Sequence, residues 1–538
     1  MPHGNSPIRT YVASSERERQ HGADVKPLRY RGRVLTGAVA LSLMASLADC
    51  HEKTAGSLAL HPDRMPRVGA VDARYQSYNI EMVEVTGGRF WKPYPPPGAA
   101  ASSDRYQYRS PIDLSNPRLR KLAAALGPAY VRVSGTWANS TYLADSDDAP
   151  PAPPAGYGGV LTHQQWKGVI DFGKAVDANI ITSFAISAGT RDSSGVWTPQ
   201  EAQRVIAFTR AAGGAIAAAE LMNEPTLPSI GAAPAGYDAA AYGRDFSVFR
   251  KFAQESAPDM LILGPGSTGE ADDDTSAKPD NLRTRDLLKA MGPGGVNVFS
   301  YHHYGAVSER CDGPRKADGA LAEDWLARTE HTFRFYQKVR DELEPGKPLW
   351  VTETAEAACG GNTWAATFID TFRYLDQLGR LARQGVRVVA HNTLAASDYG
   401  LLDERDFAPR PNYWGALLWR RLMGATVLDS GIPIAEGQHV YAHCLRDVPG
   451  GVALLVINND RASPRTLAVG TSGLRYTLSA TPLQSRAVSL NALELRMGAD
   501  GELPPLTGVK FPAGTLTLEP ATITFLALPD AGNQGCRQ

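Results

Sequence analysis

The sequence predicts an α/β protein, a (β/α)8 TIM barrel followed by a C-terminal β-sandwich domain. Between Tyr75 and Leu422, eight short and nearly all-apolar runs alternate with longer stretches of helical periodicity. That is the pattern of a parallel sheet whose faces are covered by helices. Beyond Gly424 the helical stretches cease, and short alternating runs separated by Gly, Pro and Asn take over, as in a small antiparallel sandwich. No apolar run is followed by a Walker loop, and eight strand-and-helix units suit a closed barrel better than a doubly wound nucleotide fold.

Tyr75–Met82 has the aromatic and β-branched enrichment of a first strand, and Gly87-Gly88 stops it. The strands expected after it are Ala129–Val133, Ile180–Phe184, Ala217–Met222, Met260–Leu263, Asn297–Tyr301, Leu349–Thr352 and Arg387–His391. Helices are expected over Pro117–Leu126, Thr162–Ala178, Pro199–Ala212, Ala239–Ala257, Leu282–Met291, Glu323–Leu343, Trp364–Gln384 and Tyr413–Leu422. Thr198-Pro199-Gln200-Glu201 reads as an N-cap, a first-turn proline and a capping-box glutamate. The Pro/Ala/Gly-rich run Asp147–Gly159 is a long loop after the second strand, because the barrel pattern resumes behind it. Sandwich strands are expected at Val440–Leu445, Gly451–Ile457, Leu474–Ser479, Ala487–Leu490 and Ile523–Leu528.

A chain of 538 residues suits one large and one small domain. With 55 basic and 56 acidic residues, the composition carries no electrostatic footprint for nucleic acid or a strongly anionic polymer. Arg29, Arg31 and Arg33 precede an apolar run, Val34–Ala48, too short to span a bilayer. Residues 1–48 therefore read as a signal peptide and the protein as secreted or periplasmic, without a stable membrane partner. Leu47-Ala48-Asp49-Cys50 leaves lipoprotein anchoring at Cys50 as the alternative. The boundaries expected are 49–70 for an N-terminal segment able to supply a sandwich strand, 71–423 for the barrel, 424–530 for the sandwich and 531–538 for a tail.

The chemistry is expected where strands end. Ala-Glu-Leu-Met-Asn-Glu-Pro (Ala219–Pro225) and Pro-Leu-Trp-Val-Thr-Glu (Pro348–Glu353) each deliver a carboxylate from a buried strand. In a parallel barrel all strands point their C-terminal ends at one face, where active sites are built. Glu224 and Glu353 would thus meet on the fourth and seventh strands as the carboxylate pair of glycoside hydrolysis. Glu224 is the expected acid and Glu353 the ionised partner, held by a bidentate Arg132 and by the Tyr304 hydroxyl. Asn223, beside the acid, is placed to hold a sugar hydroxyl. Glu81, Glu220 and Glu356 are rival carboxylates. His302 and His303 suggest zinc, but no third ligand stands at a recognisable spacing; they read as barrel histidines, with His303 supporting the site and no metal or cofactor required. Cys311 and Cys359 follow the sixth and seventh strands on neighbouring loops, which predicts a disulfide in an exported protein.

At these residues the sequence resembles glycoside hydrolase family 79, the family of heparanase and bacterial β-glucuronidases. The resemblance rests on Ala219–Pro225, Trp-Val-Thr-Glu-Thr-Ala from Trp350, Tyr-His-His-Tyr from Tyr301 and Val-Arg-Val-Ser-Gly-Thr from Val131. It continues through Tyr399–Glu404, Pro411–Trp414, Ser489–Leu495 and Leu503–Leu506. It implies a retaining exo-β-D-glucuronidase acting as a monomer on glucuronic-acid-containing oligosaccharides or glycans. Glu224 would be the acid/base, Glu353 the nucleophile, and Tyr399 with the amides around Gly360 and Gly361 the holders of the substrate carboxylate. Ala358 and Cys359 stand where the family pattern leads one to expect a tyrosine. Endo-cleavage of heparan-like polymers and a non-catalytic glycan-binding relative are the alternatives.

Overall fold

The computed structural model describes residues 58–95, 104–146, 152–270, 281–498 and 501–537. The signal peptide and Cys50 lie outside the described residues, as does the start of the Asp147–Gly159 loop. Among the described residues no helix is long and apolar enough to cross a membrane.

Eight strands close into a barrel: β1 Gln76–Glu81, β2 Ala129–Ser134, β3 Ala178–Ser183, β4 Ile216–Glu220, β5 Leu261–Ser267, β6 Val298–Val307, β7 Leu349–Ala358 and β8 Val388–His391. Each pairs in parallel with its successor, and β8 returns to β1. Helices alternate with them: α1 Pro117–Leu126, α2 His163–Ala175, α3 Gln200–Ala211, α4 Ala239–Ser256, α5 Thr284–Met291, α6 Arg328–Leu343, α7 Phe368–Arg383 and α8 Pro411–Leu422. A hairpin of Gly88–Trp91 and Tyr106–Arg109 follows β1. The long loop after β2 ends in a parallel pair, Thr141–Leu143 with Gly159–Leu161.

Side chains fill the barrel in layers, as alternation along each strand requires. The bottom layer is an apolar plug of Tyr130, Ile181, Ala218, Leu263, Val298, Trp350 and Val388. Two residues further along β2 and β4 come Arg132 and Glu220, both buried, so the next layer is ionic. The catalytic mouth lies above it.

One helix start departs from expectation. α3 begins after Pro199 without a side-chain cap. The Thr198 hydroxyl donates to the Thr190 carbonyl at 2.8 Å, and Glu201 accepts the Leu143 N–H. A long-range partner has taken each group that a capping box would use. The capping box forms instead at α2, where Thr162 and Gln165 satisfy each other's backbone N–H.

The C-terminal region is built from β9 Met423–Leu428, β10 His439–Leu445, β11 Val452–Asn458, β12 Arg465–Val469, β13 Gly473–Ser479, β14 Gly514–Leu518 and β15 Thr522–Leu528. Antiparallel pairing orders the main sheet β9-β10-β11-β15-β13, and β12 pairs with β14 in a second, three-stranded sheet. Leu454, Val456 and Leu526 of the first sheet share a buried cluster with Leu467, Leu516 and Leu518 of the second. The N-terminal segment joins both: Leu58–Leu60 pairs with β12 and Arg67–Ala70 with β9. The segment expected as a tail is tied down. Asn533 donates to the carbonyls of Pro62 and Met65, and Cys536 bridges to Cys444 with Cα atoms 5.3 Å apart.

Candidate active site

The β4 strand ends at Glu220, and the chain turns through Leu221–Pro225 before the next helix. Within that turn Glu224 adopts φ +49°, a left-handed conformation uncommon outside glycine and one that recurs at functional positions. Asn139 fixes the turn from both sides, accepting from the Asn223 N–H at 2.8 Å and donating to the Asn223 carbonyl at 2.9 Å. Glu353 sits mid-strand in β7, not at its end. The register between β6 and β7 slips here, and both Thr352 and Glu353 turn inward. Thr352 donates to Glu220 at 2.9 Å, and Glu353 meets Arg132. This bulge re-aims a functional side chain.

Arg132 is 1 % exposed and divides its donors. Nη1 donates to Glu353 Oε2 at 2.7 Å, while Nε and Nη2 donate to Glu220 Oε2 at 3.3 and 2.9 Å. The clamp expected on Glu353 alone is thus shared, and Glu220 is the buried counter-ion. Nη2 also donates to Asn223 Oδ1 at 2.7 Å. The Tyr304 hydroxyl donates to Glu353 Oε1 at 2.5 Å. The Asn392 amide nitrogen donates to Tyr304 Oη, Tyr399 Oη and Glu81 Oε1 at 3.0, 3.3 and 3.1 Å.

The two carboxylates are driven apart. Burial raises the Glu224 carboxyl above its ordinary value, helped by the charge of Glu353 and opposed by the hydrogen bond from His302. Burial would raise Glu353 as well, but the Arg132 guanidinium and the Tyr304 hydroxyl outweigh it and hold it below the usual range. One group is thereby suited to carry a proton and the other to stay ionised. One oxygen of each and a ring nitrogen of His302 lie within 4.8 Å of one another. These three atoms could ligate a metal, but Arg132 already donates to Glu353, so a cation there would meet a fixed positive charge.

His302, not His303, belongs to the site. Ser300, His302 and Tyr304 face the barrel interior at two-residue spacing, whereas Tyr301 stacks on Tyr336 of α6 outside it. His303 shares that outward face, and burial, with Arg373 and Arg328 nearby, pushes its ring down to about 3. Glu356 also faces away: it accepts from the Asn362 backbone and amide, and burial lifts its carboxyl to about 8. Glu81 remains near the mouth, raised by burial and by Glu353.

Gly360 and Gly361 are both left-handed, with φ +78° and +84°. A Cβ on Gly360 would come within 2.7 Å of Trp91, and one on Gly361 within 3.2 Å of both Glu356 and Tyr399. The turn therefore lies against the buried Tyr399 ring. Asp398 N–H donates to the Gly360 carbonyl at 3.2 Å, and the Asp398 carboxylate pairs with Arg310 at 2.6 Å. Cys311 and Cys359 are bridged, with Cα atoms 6.4 Å apart. Asn139 and Asn392 are additions that motif reading missed, and Glu220 and His302, read from sequence as a rival carboxylate and a barrel histidine, join the site as the Arg132 counter-ion and the partner of Glu224. Strand parity with Tyr304 was the signal for His302; the others sit on loops or below the mouth, where sequence carries no such signal.

The model of glycosyl hydrolase family 79, N-terminal domain, matches residues 110–379. Heparanase of Mus musculus is 28% identical over 495 residues, covering 79% of this chain and 88% of that protein. Baicalin-beta-D-glucuronidase of Scutellaria baicalensis is 32% identical over 244 residues, covering 44% of this chain and 46% of that protein. The solved structure of a 4-O-alpha-L-rhamnosyl-beta-D-glucuronidase from Fusarium oxysporum superposes with a TM-score of 0.61 at 14% identity, covering 88% of this chain and 100% of that chain. At that identity the likeness speaks for the fold alone. With the family model spanning half the chain and the barrel in place, the chain belongs to glycosyl hydrolase family 79 and is a glycoside hydrolase.

Proposed function

We propose that the protein is a retaining exo-β-D-glucuronidase that removes terminal β-glucuronic acid from glycans through a covalent glycosyl-enzyme. The observation that carries this reading is the close Glu224–Glu353 pair with opposite proton affinities. A retaining pair stands roughly 5 to 5.5 Å apart, whereas an inverting pair must leave room for water at roughly 6.5 to 9.5 Å. In the first step Glu353 attacks the anomeric carbon while Glu224 gives its proton to the departing glycosidic oxygen. In the second, ionised Glu224 takes a proton from water as that water displaces Glu353, restoring both groups. Arg132 and Tyr304 keep Glu353 ionised between turnovers.

The choice of sugar is supported by similarity to heparanase and to baicalin-beta-D-glucuronidase, and by the turn at Gly360 and Gly361 against Tyr399. Adjacent backbone amides and a hydroxyl bind a carboxylate without a fixed cation. Exo action is supported by the balanced charge of the chain, which offers no track for a polyanion. Export is supported by two disulfides, Cys311–Cys359 and Cys444–Cys536.

A panel of aryl β-glycosides differing only in the sugar tests the reading. The β-glucuronide is expected to exceed the β-glucoside in kcat/KM by on the order of 10²-fold or more, because donors meant for a carboxylate are left unpaired by a CH₂OH group. Equal rates refute it. Free glucuronic acid as the first product from an oligosaccharide supports exo action, and internal fragments contradict it.

A further inference from the structure

We infer that His302 is a positioning residue that fixes which oxygen of Glu224 carries the catalytic proton. The inference rests on the acid/base reading of Glu224 given above and adds a residue to it. His302 is fully buried, Glu224 is partly open, and the ring lies between three charged groups on three other strands or their turns. Nδ1 is 3.0 Å from Glu224 Oε1 and 3.8 Å from Glu353 Oε2. On the opposite edge of the ring, Nε2 is 3.3 Å from Nη2 of Arg132.

The tautomer follows from chemistry. Nη2 spends its two hydrogens on Glu220 and Asn223 and, as a guanidinium nitrogen, cannot accept one, so an Nε2–H facing it would lack an acceptor and meet a fixed positive charge. Nε2 is thus unprotonated, and Nδ1 carries the hydrogen. Facing two carboxylates, Nδ1–H donates to the nearer, Glu224 Oε1. An oxygen accepting that bond is the poorer place for the acid proton, which is left to Oε2, free of the ring. In the second step the same N–H stabilises the ionised carboxylate while Glu224 acts as base. Arg132 therefore holds the nucleophile through Nη1 and sets the acid's histidine through Nη2, linking the two halves of the mechanism.

His302→Asn puts an amide nitrogen close to the place of Nδ1 and keeps the donor to Glu224; His302→Gln puts one near Nε2 and His302→Ala has neither. The measurement is kcat/KM against pH for phenyl β-glucuronide, which needs the acid, and for 2,4-dinitrophenyl β-glucuronide, which does not, with Glu224→Gln as reference. Expected for His302→Ala and His302→Gln is a loss of roughly tenfold or more on the phenyl substrate with little change on the dinitrophenyl one. In both variants the alkaline limb should move to higher pH, because a donor to the ionised form of Glu224 is gone. His302→Asn should restore most of the phenyl rate and return the limb toward its original place. Equal losses on both substrates, an unmoved limb, or a His302→Asn no better than His302→Ala on the phenyl substrate overturns the inference. If Glu224→Gln itself fails to separate the two substrates, the acid assignment has failed instead.

Discussion

Arg132 is where the account can be broken with one side chain. Its guanidinium lies between Glu220 and Glu353, both buried. Arg132→Met leaves two adjacent carboxylates without a cation, and removing one partner of a buried ion pair costs about 3 to 5 kcal/mol. A carboxyl held below its unfolded value contributes stability above that value, 4.5 for Glu353, and loses it as pH falls further. In Arg132→Met this contribution vanishes, and the acid limb of kcat/KM moves to higher pH because Glu353 protonates more readily. A pH–rate profile and a thermal melt check both; an unshifted acid limb contradicts the assignment. The strand-borne carboxylates were legible at this scale because an apolar run that stops at a glutamate is conspicuous. The histidine was misplaced by one residue: Tyr304 and His303 cannot both face inward on a strand, and taking Tyr304 as inward selects His302. The bulge at Thr352–Glu353 left no such trace, since an inserted residue breaks parity without changing composition.

At the scale of elements, two devices hold the loops and helices around the site. The Cys311–Cys359 bridge closes a loop with a separation of 48 residues and Cys444–Cys536 one of 92, each adding roughly 4 to 5 kcal/mol at most in a chain-entropy account. Their expected phenotypes differ. Replacing Cys311 and Cys359 by serine should raise KM for an aryl glucuronide several-fold, because Cys359 immediately precedes Gly360. Replacing Cys444 and Cys536 should lower Tm with kcat/KM unchanged; a pair of variants with indistinguishable kinetics argues against the first role. The second device joins α7 to β10. His439 Nδ1 bonds Asp376 at 2.5 Å and Nε2 pairs with Glu323 at 2.9 Å, with Arg380 and Tyr441 also on Asp376. Burial lowers the His439 ring, but Asp376 and Glu323 outweigh it and push it up to about 9. Its contribution is therefore complete below the unfolded value of 6.5 and disappears as pH rises through about 9. Tm should fall across that window, and His439→Gln should remove the step while lowering Tm at neutral pH. The eight barrel strands were legible because parallel strands are apolar on both faces. β12 and β14 were not, since the half-buried Arg465 and the exposed Thr515 and Thr517 break up the apolar pattern.

The whole molecule depends on its C-terminal sheets. Every residue of α7 from Phe368 to Ala382 is buried, and nearly all of α8 is as well, because β9, β10 and β11 cover α7 on the side away from the barrel. Ending the chain at residue 423 would expose those faces, so the barrel alone is expected to be insoluble or unfolded on expression. A monomeric, cooperatively melting fragment contradicts this. The boundary near 424 was visible as a change of pattern, but the strand pairing of Leu58–Leu60 and Arg67–Ala70 with β12 and β9 joins residues some 400 apart in sequence, beyond what local pattern encodes. The central claim, a glucuronyl-enzyme formed on Glu353 by acid help from Glu224, is tested most directly by trapping. A 2-deoxy-2-fluoro-β-D-glucuronyl fluoride forms its ester readily and releases it slowly, so mass spectrometry of a proteolytic digest reads the nucleophile itself. A single fluoroglucuronyl adduct on Glu353, absent in Glu353→Gln, is the predicted result; no adduct, or one on Glu81, Glu220 or Glu224, would contradict the account.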